Sequence, residues 1–215
     1  MKSHIKLTFF LIALQLHGCG NTSEIGIGAI HIERQNNIQL EFFDRPKNGL
    51  KPVFIVDLFL DSSNLKVKSN VGEFDTVKFD PLYFFPERGV LVLRVVEERK
   101  GWLKVITFSS KDQQIAHWLL LPNAKVDNWE EFLLSIYRVR PNSKDNRLRM
   151  APSVSAKEVL RNLGYTCLVP LAVSGDWLQV ENSAERCEES GNIKEEFGGF
   201  IRWKKGGKIL INFFL

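Results

Sequence analysis

The sequence predicts a mainly β protein, and three observations lead to this fold class. Short runs of β-branched and aromatic residues, the composition typical of strands, recur along most of the chain. Clusters of Gly, Pro, Asn, Asp and Ser separate these runs and predict tight turns. Helical signals are confined to two short stretches. Many short strands with frequent turns favour a β-barrel or a β-sandwich. Together with the repeated layout described below, they lead us to expect two small β-barrel units joined by a short helical or mixed connector.

The N-terminal residues have the order of an export signal. Lys2 and Lys6 give a positive start, residues 7–16 are mostly apolar, and Gly18 precedes Cys19. The apolar run is about half the roughly 20 residues that a membrane-spanning helix needs. Residues 1–18 therefore resemble a bacterial lipoprotein signal peptide that ends in a lipobox. The resemblance implies that Cys19 becomes the first mature residue and carries a diacylglycerol on its sulfur.

The residue after Cys19 bears on location. Gly20 stands where many such lipoproteins have the aspartate that retains them in the inner membrane. The resemblance therefore favours the outer membrane, facing the periplasm, in a cell that has one. Residues 19–24 are small or polar and are expected to form a tether. Two or more acyl chains hold a protein firmly at a bilayer, so we expect a lipid-anchored protein of the cell envelope.

Residues 25–121 form the first predicted domain, a divergent β unit that resembles the second one and has an insertion at residues 50–89. Turn clusters separate its strand signals at residues 45–49, 61–64, 86–89 and 99–101. The predicted strands are residues 38–43, 53–60, 65–68, 90–96, 102–108 and 117–121.

Residues 122–147 are predicted to connect the two units. Asp127 is expected to cap a short helix that runs through Trp129, because an aspartate side chain can accept the free amide hydrogens of a helix start. Residues 133–139 fit a strand equally well, so both assignments stay open.

Residues 148–215 form the second predicted domain. Ser155 and Glu158 have the spacing of a capping box at the start of one or two helical turns. Tight turns are predicted at residues 174–176 and 206–207. The predicted strands are residues 148–150, 167–173, 177–180, 200–203 and 209–213.

Two segments of the chain share a layout, which indicates a duplication. In each, a hairpin tryptophan, Trp102 or Trp177, precedes a strand with a second tryptophan, Trp118 or Trp203. An apolar strand that leads into a proline turn lies upstream of both segments.

The second unit resembles the bacterial SH3-like (SH3b) domain over about 65 residues. In that family the corresponding motifs are a first strand with a proline loop, a short turn into a strand, a Gly-x-Trp hairpin and a Gly-Trp-Val closing strand. Gly199-Phe200-Ile201 replaces the last motif here, and Met150-Ala151 replaces a small-Gly pair. The resemblance implies a small barrel that binds cell-wall peptide or a protein partner. The matching stretches are residues 148–153, 159–164, 175–180 and 199–202.

Arg202 and Trp203 are the predicted ligand-binding residues. A tryptophan with neighbouring cations at a strand end can present a binding face, and Trp203 lies between Arg202 and Lys204. Trp102 and Trp177 are expected in the core instead, because aromatic side chains supply much of the buried area of a small barrel.

Composition and motifs weigh against catalysis and nucleic-acid binding. Loss of the leader lowers Lys plus Arg from 29 to 27 against 25 acids, so the net charge falls from +4 to about +2. No strong nucleic-acid footprint remains. His31 and His117 alone remain after the leader, and no nucleophile elbow, paired zinc histidines or phosphate loop is present. The glutamates of residues 185–196 lack the spacing of a calcium-binding loop, so no metal site is expected there. Together with the missing catalytic motifs, this leads us to expect a protein that is not an enzyme and has no cofactor.

The number of cysteines is compatible with a location in the cell envelope, outside the cytoplasm. If Cys19 is lipidated, Cys167 and Cys187 remain as an even pair outside the cytoplasm, which favours a disulfide. Two free thiols are the alternative, because the sequence does not fix the distance between them.

The expected function is that of a non-enzymatic, lipid-anchored envelope protein whose SH3-like domains bind cell-wall peptide or a protein partner. The alternative is a lipoprotein inhibitor, immunity or assembly factor that binds a toxin or a secreted enzyme through the first domain. A third hypothesis is an unrecognised enzyme that uses carboxylates such as Asp57 and Asp61.

Overall fold

The chain is mainly β, as the sequence predicts. The computed structural model describes residues 25–32, 38–61, 64–69, 81–85, 88–109, 114–159, 168–182 and 197–215. Within these residues it contains sixteen strands and one short helix, α1, which spans Trp129–Ser135. Every strand pairing among them is antiparallel.

The first sheet is built from nine strands. Along the sheet the order is β4-β3-β2-β8-β7-β6-β1-β9, and β5 pairs with β6 beside this path. All six strands predicted for this half are confirmed, with bounds shifted by up to three residues. The bounds are β1 Gly28–Ile32, β2 Ile38–Phe43, β3 Phe54–Asp61, β4 Asn64–Ser69, β5 Tyr83–Phe85, β6 Val90–Arg99, β7 Trp102–Ser109, β8 Gln114–Leu120 and β9 Asp127–Asn128.

The second sheet has five strands in the order β13-β12-β11-β10-β16. The predicted hairpin is confirmed: Ser174 pairs with Trp177 across a turn at Gly175 and Asp176. A separate two-stranded ribbon, β14 and β15, turns at Gly206-Gly207. The bounds are β10 Arg138–Pro141, β11 Leu168–Ser174, β12 Trp177–Asn182, β13 Gly198–Arg202, β14 Lys204–Lys205, β15 Lys208–Ile209 and β16 Ile211–Phe214.

Among the described residues, the pairing path of neither large sheet returns to its own first strand. The structure therefore shows antiparallel sheets and no closed barrel in this part of the chain. The strand expected at residues 148–150 is reduced to isolated bridges from Arg149 to Glu158 and Phe200. The prediction of a helix after Ser155 is wrong for residues 155–159, which form turns and an isolated bridge. The remainder of that predicted helix lies outside the described residues.

The segment predicted as a connector contributes to both sheets. Helix α1 is capped by Asn128, not by Asp127 as predicted: the Asn128 carboxamide oxygen accepts from the backbone N–H groups of Glu130 and Glu131, each at 3.0 Å. Asp127 lies one residue too early, on β9, which pairs with β1 of the first sheet. Residues 133–139, for which both helix and strand were left open, contain part of each: α1 ends at Ser135, and β10 of the second sheet begins at Arg138.

The core lies in two large clusters that share strand β6. Leu91 and Leu93 face a cluster internal to the first sheet. Val92 points to the opposite face, where it joins a cluster made by α1 and the second sheet. Phe132 of α1 packs edge-on against Phe213 of β16 in this second cluster, with ring centroids 5.3 Å apart. The two sheets therefore pack against one another through a continuous apolar contact.

Candidate functional site

The predicted ligand-binding residue Arg202 lies beside the turn of the β11–β12 hairpin. The register of β12 and β13 places Arg202 opposite Trp177, immediately after the turn residue Asp176. Arg202 Nη2 is 3.1 Å from Asp176 Oδ2, and Lys204 Nζ is 3.7 Å from Asp176 Oδ1. These three charged side chains, Asp176, Arg202 and Lys204, are called the Asp176 cluster below.

Trp203 does not provide the exposed binding face that the sequence predicts. Its side chain is buried, with 2% of the residue exposed, and its indole Nε1 donates to the carbonyl of Gly175 at 2.9 Å. The ring also packs against Trp129 of the connector, with centroids 5.4 Å apart. Burial by the helix and the hairpin turn therefore corrects the prediction for Trp203 and makes it a core residue, as Trp102 and Trp177 were predicted to be and are.

A buried asparagine fixes the backbone beneath the Asp176 cluster. The Asn146 carboxamide donates to the carbonyls of Arg202 at 2.7 Å and of Leu210 at 3.0 Å. Its oxygen accepts from the Arg202 backbone N–H at 3.1 Å. The backbone on both sides of the β14–β15 ribbon is thus tied to one side chain, which holds Arg202 in place relative to the hairpin turn.

Positive charge exceeds negative charge around the Asp176 cluster. Arg202 is 26% exposed and its guanidinium lies 5.9 Å from the Trp177 ring centroid. Asp176, 41% exposed, is shared between Arg202 and Lys204. The neighbouring ribbon adds exposed Lys205 and Lys208. The ion pairs are partly buried, and because two cations share one carboxylate, the group keeps a net positive charge that can attract an anionic group.

One donor of the cluster has no hydrogen bond. The Nε atom of Arg202 is buried and without a hydrogen-bond partner among the described residues. A guanidinium presents its donors in a planar fork that suits carboxylate oxygens, and Arg202 uses Nη2 toward Asp176.

The two histidines do not form a catalytic arrangement in the described part of the chain. His117 Nδ1 is 2.7 Å from the Thr107 hydroxyl on β7, and burial lowers the pKa of His117 although Asp44 opposes the effect. His31 lies on β1, with Nε2 4.0 Å from Asp127 Oδ2. Asp57 accepts a hydrogen bond from Gln39 at 2.8 Å, and the side chain of Asp61 lies outside the described residues.

The described part of the chain contains neither a candidate metal centre nor a candidate membrane-spanning helix. Within the described ranges, no three His, Cys, Asp or Glu side chains lie close enough together to hold a metal ion. In the same part of the chain, no helix has the length and apolar character needed to cross a bilayer. Cys19, Cys167 and Cys187 lie outside the described residues, so their lipidation and pairing stay predictions.

Sequence reasoning missed Asp176 as the partner of Arg202 and Asn146 as the residue that fixes its backbone. The Gly175-Asp176 turn was visible, but the proximity of residues 26 apart in the chain follows from strand pairing alone. Comparison with known proteins adds no relative: no family model, no curated protein and no solved structure matches this chain.

Proposed function

We propose that this chain is a non-enzymatic, lipid-anchored protein of the cell envelope that binds a carboxylate-bearing cell-wall peptide through the Asp176 cluster. In this proposal both β units are SH3-like, the second spanning residues 148–215 and the first a divergent copy. The antiparallel β11–β12–β13 arrangement, with Gly175 and Trp177 at the hairpin turn, supports the SH3-like assignment of the second unit. The anchor rests on the lipobox ending at Cys19.

The observation that carries the proposal is the charge imbalance around Arg202. A single carboxylate, that of Asp176, contacts two cations, and exposed Lys205 and Lys208 follow on the adjoining ribbon. Cell-wall stem peptides carry free carboxylates, and hydrogen bonds between arginine and a carboxylate are among the stronger polar contacts in proteins. The cation excess would also speed the encounter with an anionic polymer, and added salt would weaken it.

Co-sedimentation with purified peptidoglycan tests the binding site. The chain carrying Cys19→Ala should pellet with peptidoglycan at low salt, and the double variant Arg202→Gln/Lys204→Gln should lose about tenfold or more in apparent affinity. The matched control, Lys47→Gln/Lys51→Gln, removes the same charge from an exposed loop of the first sheet and should bind as the parent does.

Two outcomes would count against the proposal. If the parent protein stays wholly in the supernatant, the cell-wall ligand is wrong. A crosslinking experiment in native membranes would then test the protein partner of the alternative hypothesis. If both double variants lose affinity equally, the binding depends on net charge and the Asp176 cluster has no special role.

The anchor has a separate test. Wild-type protein is expected in the membrane fraction, whereas Cys19→Ala should move it to the soluble fraction of the envelope or to the medium. Retention of Cys19→Ala in the membrane fraction would show that the lipoprotein assignment is wrong, whatever the peptidoglycan assay gives.

A further inference from the structure

A cleft with a volume of about 320 Å³ lies where the two sheets meet. On the side of the first sheet it is lined by Leu82, which immediately precedes β5, by Tyr83 of β5 and by Arg94 of β6. On the other side it is lined by Ile211 and Phe213 of β16. Its volume is within the range of small-molecule sites, which are mostly apolar with a few placed polar groups. It shares no lining residue with the Asp176 cluster.

Arg94 gives the cleft its chemical character. It lies two residues after Val92 on β6, on the same face of the strand, and therefore points toward the second sheet. Only 8% of the residue is exposed, which is unusual for an arginine because removing a charge from water is costly. Arg94 already makes an interaction within the protein, and a ligand acceptor would add to it.

The charges along the wall are one-sided. Of the described residues that line the cleft, Arg94 alone is charged. Gln114, Asn212 and the Tyr83 hydroxyl add neutral polar groups, whereas proline, leucine, isoleucine and phenylalanine side chains cover the remainder. In such low-dielectric surroundings a guanidinium attracts an anion more strongly than an exposed one does.

We infer that this cleft is a second binding site, for a small molecule that has one carboxylate and a short apolar chain. The carboxylate pairs with the Arg94 guanidinium, and the apolar chain lies against Leu82, Ile211 and Phe213. A short fatty acid and an N-acylated apolar amino acid share this chemistry. Because residues of both sheets line the cleft, a bound ligand also increases the stability of their packing.

Titration calorimetry on the full chain carrying Cys19→Ala tests the inference with octanoate and N-acetyl-leucine as probes. Saturable binding by at least one probe is expected, and octanol should bind at least about tenfold more weakly than octanoate because it lacks the carboxylate. Tighter binding of octanoate than of N-acetyl-leucine assigns a fatty acid, and the reverse order assigns an acylated amino acid.

Arginine variants localise the binding. Arg94→Met should weaken the favoured carboxylate by about tenfold or more. The control Arg99→Met removes a charge from the same strand at a position where the side chain is 61% exposed, and its affinity should equal that of the parent. No saturable binding, equal binding of octanol and octanoate, or undiminished binding to folded Arg94→Met would each overturn the inference.

A second measurement serves if Arg94→Met does not fold. In amide NMR spectra of the protein without an arginine substitution, the favoured probe should shift the signals of Tyr83, Gln114 and Asn212, which line the cleft. Signals of Lys47 and Lys51, on the exposed loop of the first sheet, should stay in place. Shifts confined to residues away from the cleft would assign the ligand to another site and refute the inference.

Discussion

Substitution of Asn146 by alanine should lower the free energy of unfolding far more than the same substitution at the exposed Asn142. The Asn146 carboxamide makes three hydrogen bonds to backbone groups, two to Arg202 and one to Leu210. The residue is buried, so water does not readily replace these bonds once the carboxamide is gone. Asn142, four residues earlier, offers a natural comparison because its side chain makes one exposed bond, to the carbonyl of Ile209 at 3.0 Å.

The magnitude follows from the number and burial of the bonds. Each net hydrogen bond contributes about 0.5–1.5 kcal/mol, so losing three partly buried ones should lower the free energy of unfolding by about 2–4 kcal/mol. Loss of the exposed Asn142 bond should cost about 0.5 kcal/mol or less. With a urea m-value of about 2 kcal/mol/M, Asn146→Ala should lower the denaturation midpoint by about 1–2 M.

Urea denaturation monitored by tryptophan fluorescence measures both variants against the parent. Trp203 is a suitable reporter because it is buried and follows Arg202 directly in the chain. Its backbone carbonyl also accepts a hydrogen bond from the N–H of Leu210, the other residue that Asn146 holds. Asn146→Asp provides a further arm: its carboxylate can accept from the Arg202 N–H but cannot donate to either carbonyl, so it should also be destabilised. If Asn146→Ala loses no more stability than Asn142→Ala, the network beneath the Asp176 cluster does not hold the ribbon as argued.

Three other predictions concern packing, protonation and covalent pairing. Gly199→Ala should cost about 1–3 kcal/mol, because its Cβ would lie 2.6 Å from the Arg149 carbonyl oxygen, whereas Gly198→Ala meets nothing closer than 3.3 Å. Thermal melts that show equal loss for both variants would contradict this reasoning. Burial lowers the pKa of His117 below its ordinary value of 6.5, so the unfolded chain binds this proton more readily. Stability from neutral His117 should be complete above about pH 6.5 and fall with acidification toward the folded pKa, and His117→Gln should lose less stability between pH 7.5 and pH 5 than the parent. Intact mass with and without reductant should differ by two hydrogens if Cys167 and Cys187 are bridged, and identical masses would show two free thiols.

The strand positions were predictable because their signals are local. Residues 38–43, for example, alternate and carry β-branched and aromatic side chains, and β2 has the same bounds. Three strands of the first sheet escaped prediction for equally local reasons. β1 begins at Gly28, which lacks strand propensity, β5 is three residues long, and β9 is two residues long. Helix α1 was predicted, but its cap was placed one residue early because Asp127 and Asn128 are both good capping residues.

The candidate site was predictable in part. Charge and position in the chain pointed to Arg202, which the structure places partly exposed beside Asp176 and Lys204, and its role in ligand binding stays a prediction. The same pattern failed for Trp203, because burial depends on what packs over a side chain. Trp129, 74 positions earlier in the chain, and the Gly175 carbonyl enclose the indole. Neighbouring cations do not distinguish an exposed tryptophan from a buried one. The Lys204 ammonium lies 4.9 Å from the Trp203 ring centroid although the tryptophan is buried, because a lysine side chain can lie along an apolar surface with its charge in water.

The sequence by itself determined the mainly β class, the strands with clear periodicity and the glycine turns, since each depends on neighbouring residues. The tertiary structure alone decided that β2 lies beside β8 and that the segment after Pro122 supplies strands to both sheets. It also placed Arg94 between the sheets and Asp176 beside Arg202. These placements depend on pairing between distant segments and on apolar burial shared across both sheets, and such long-range terms leave no periodic trace in the local sequence.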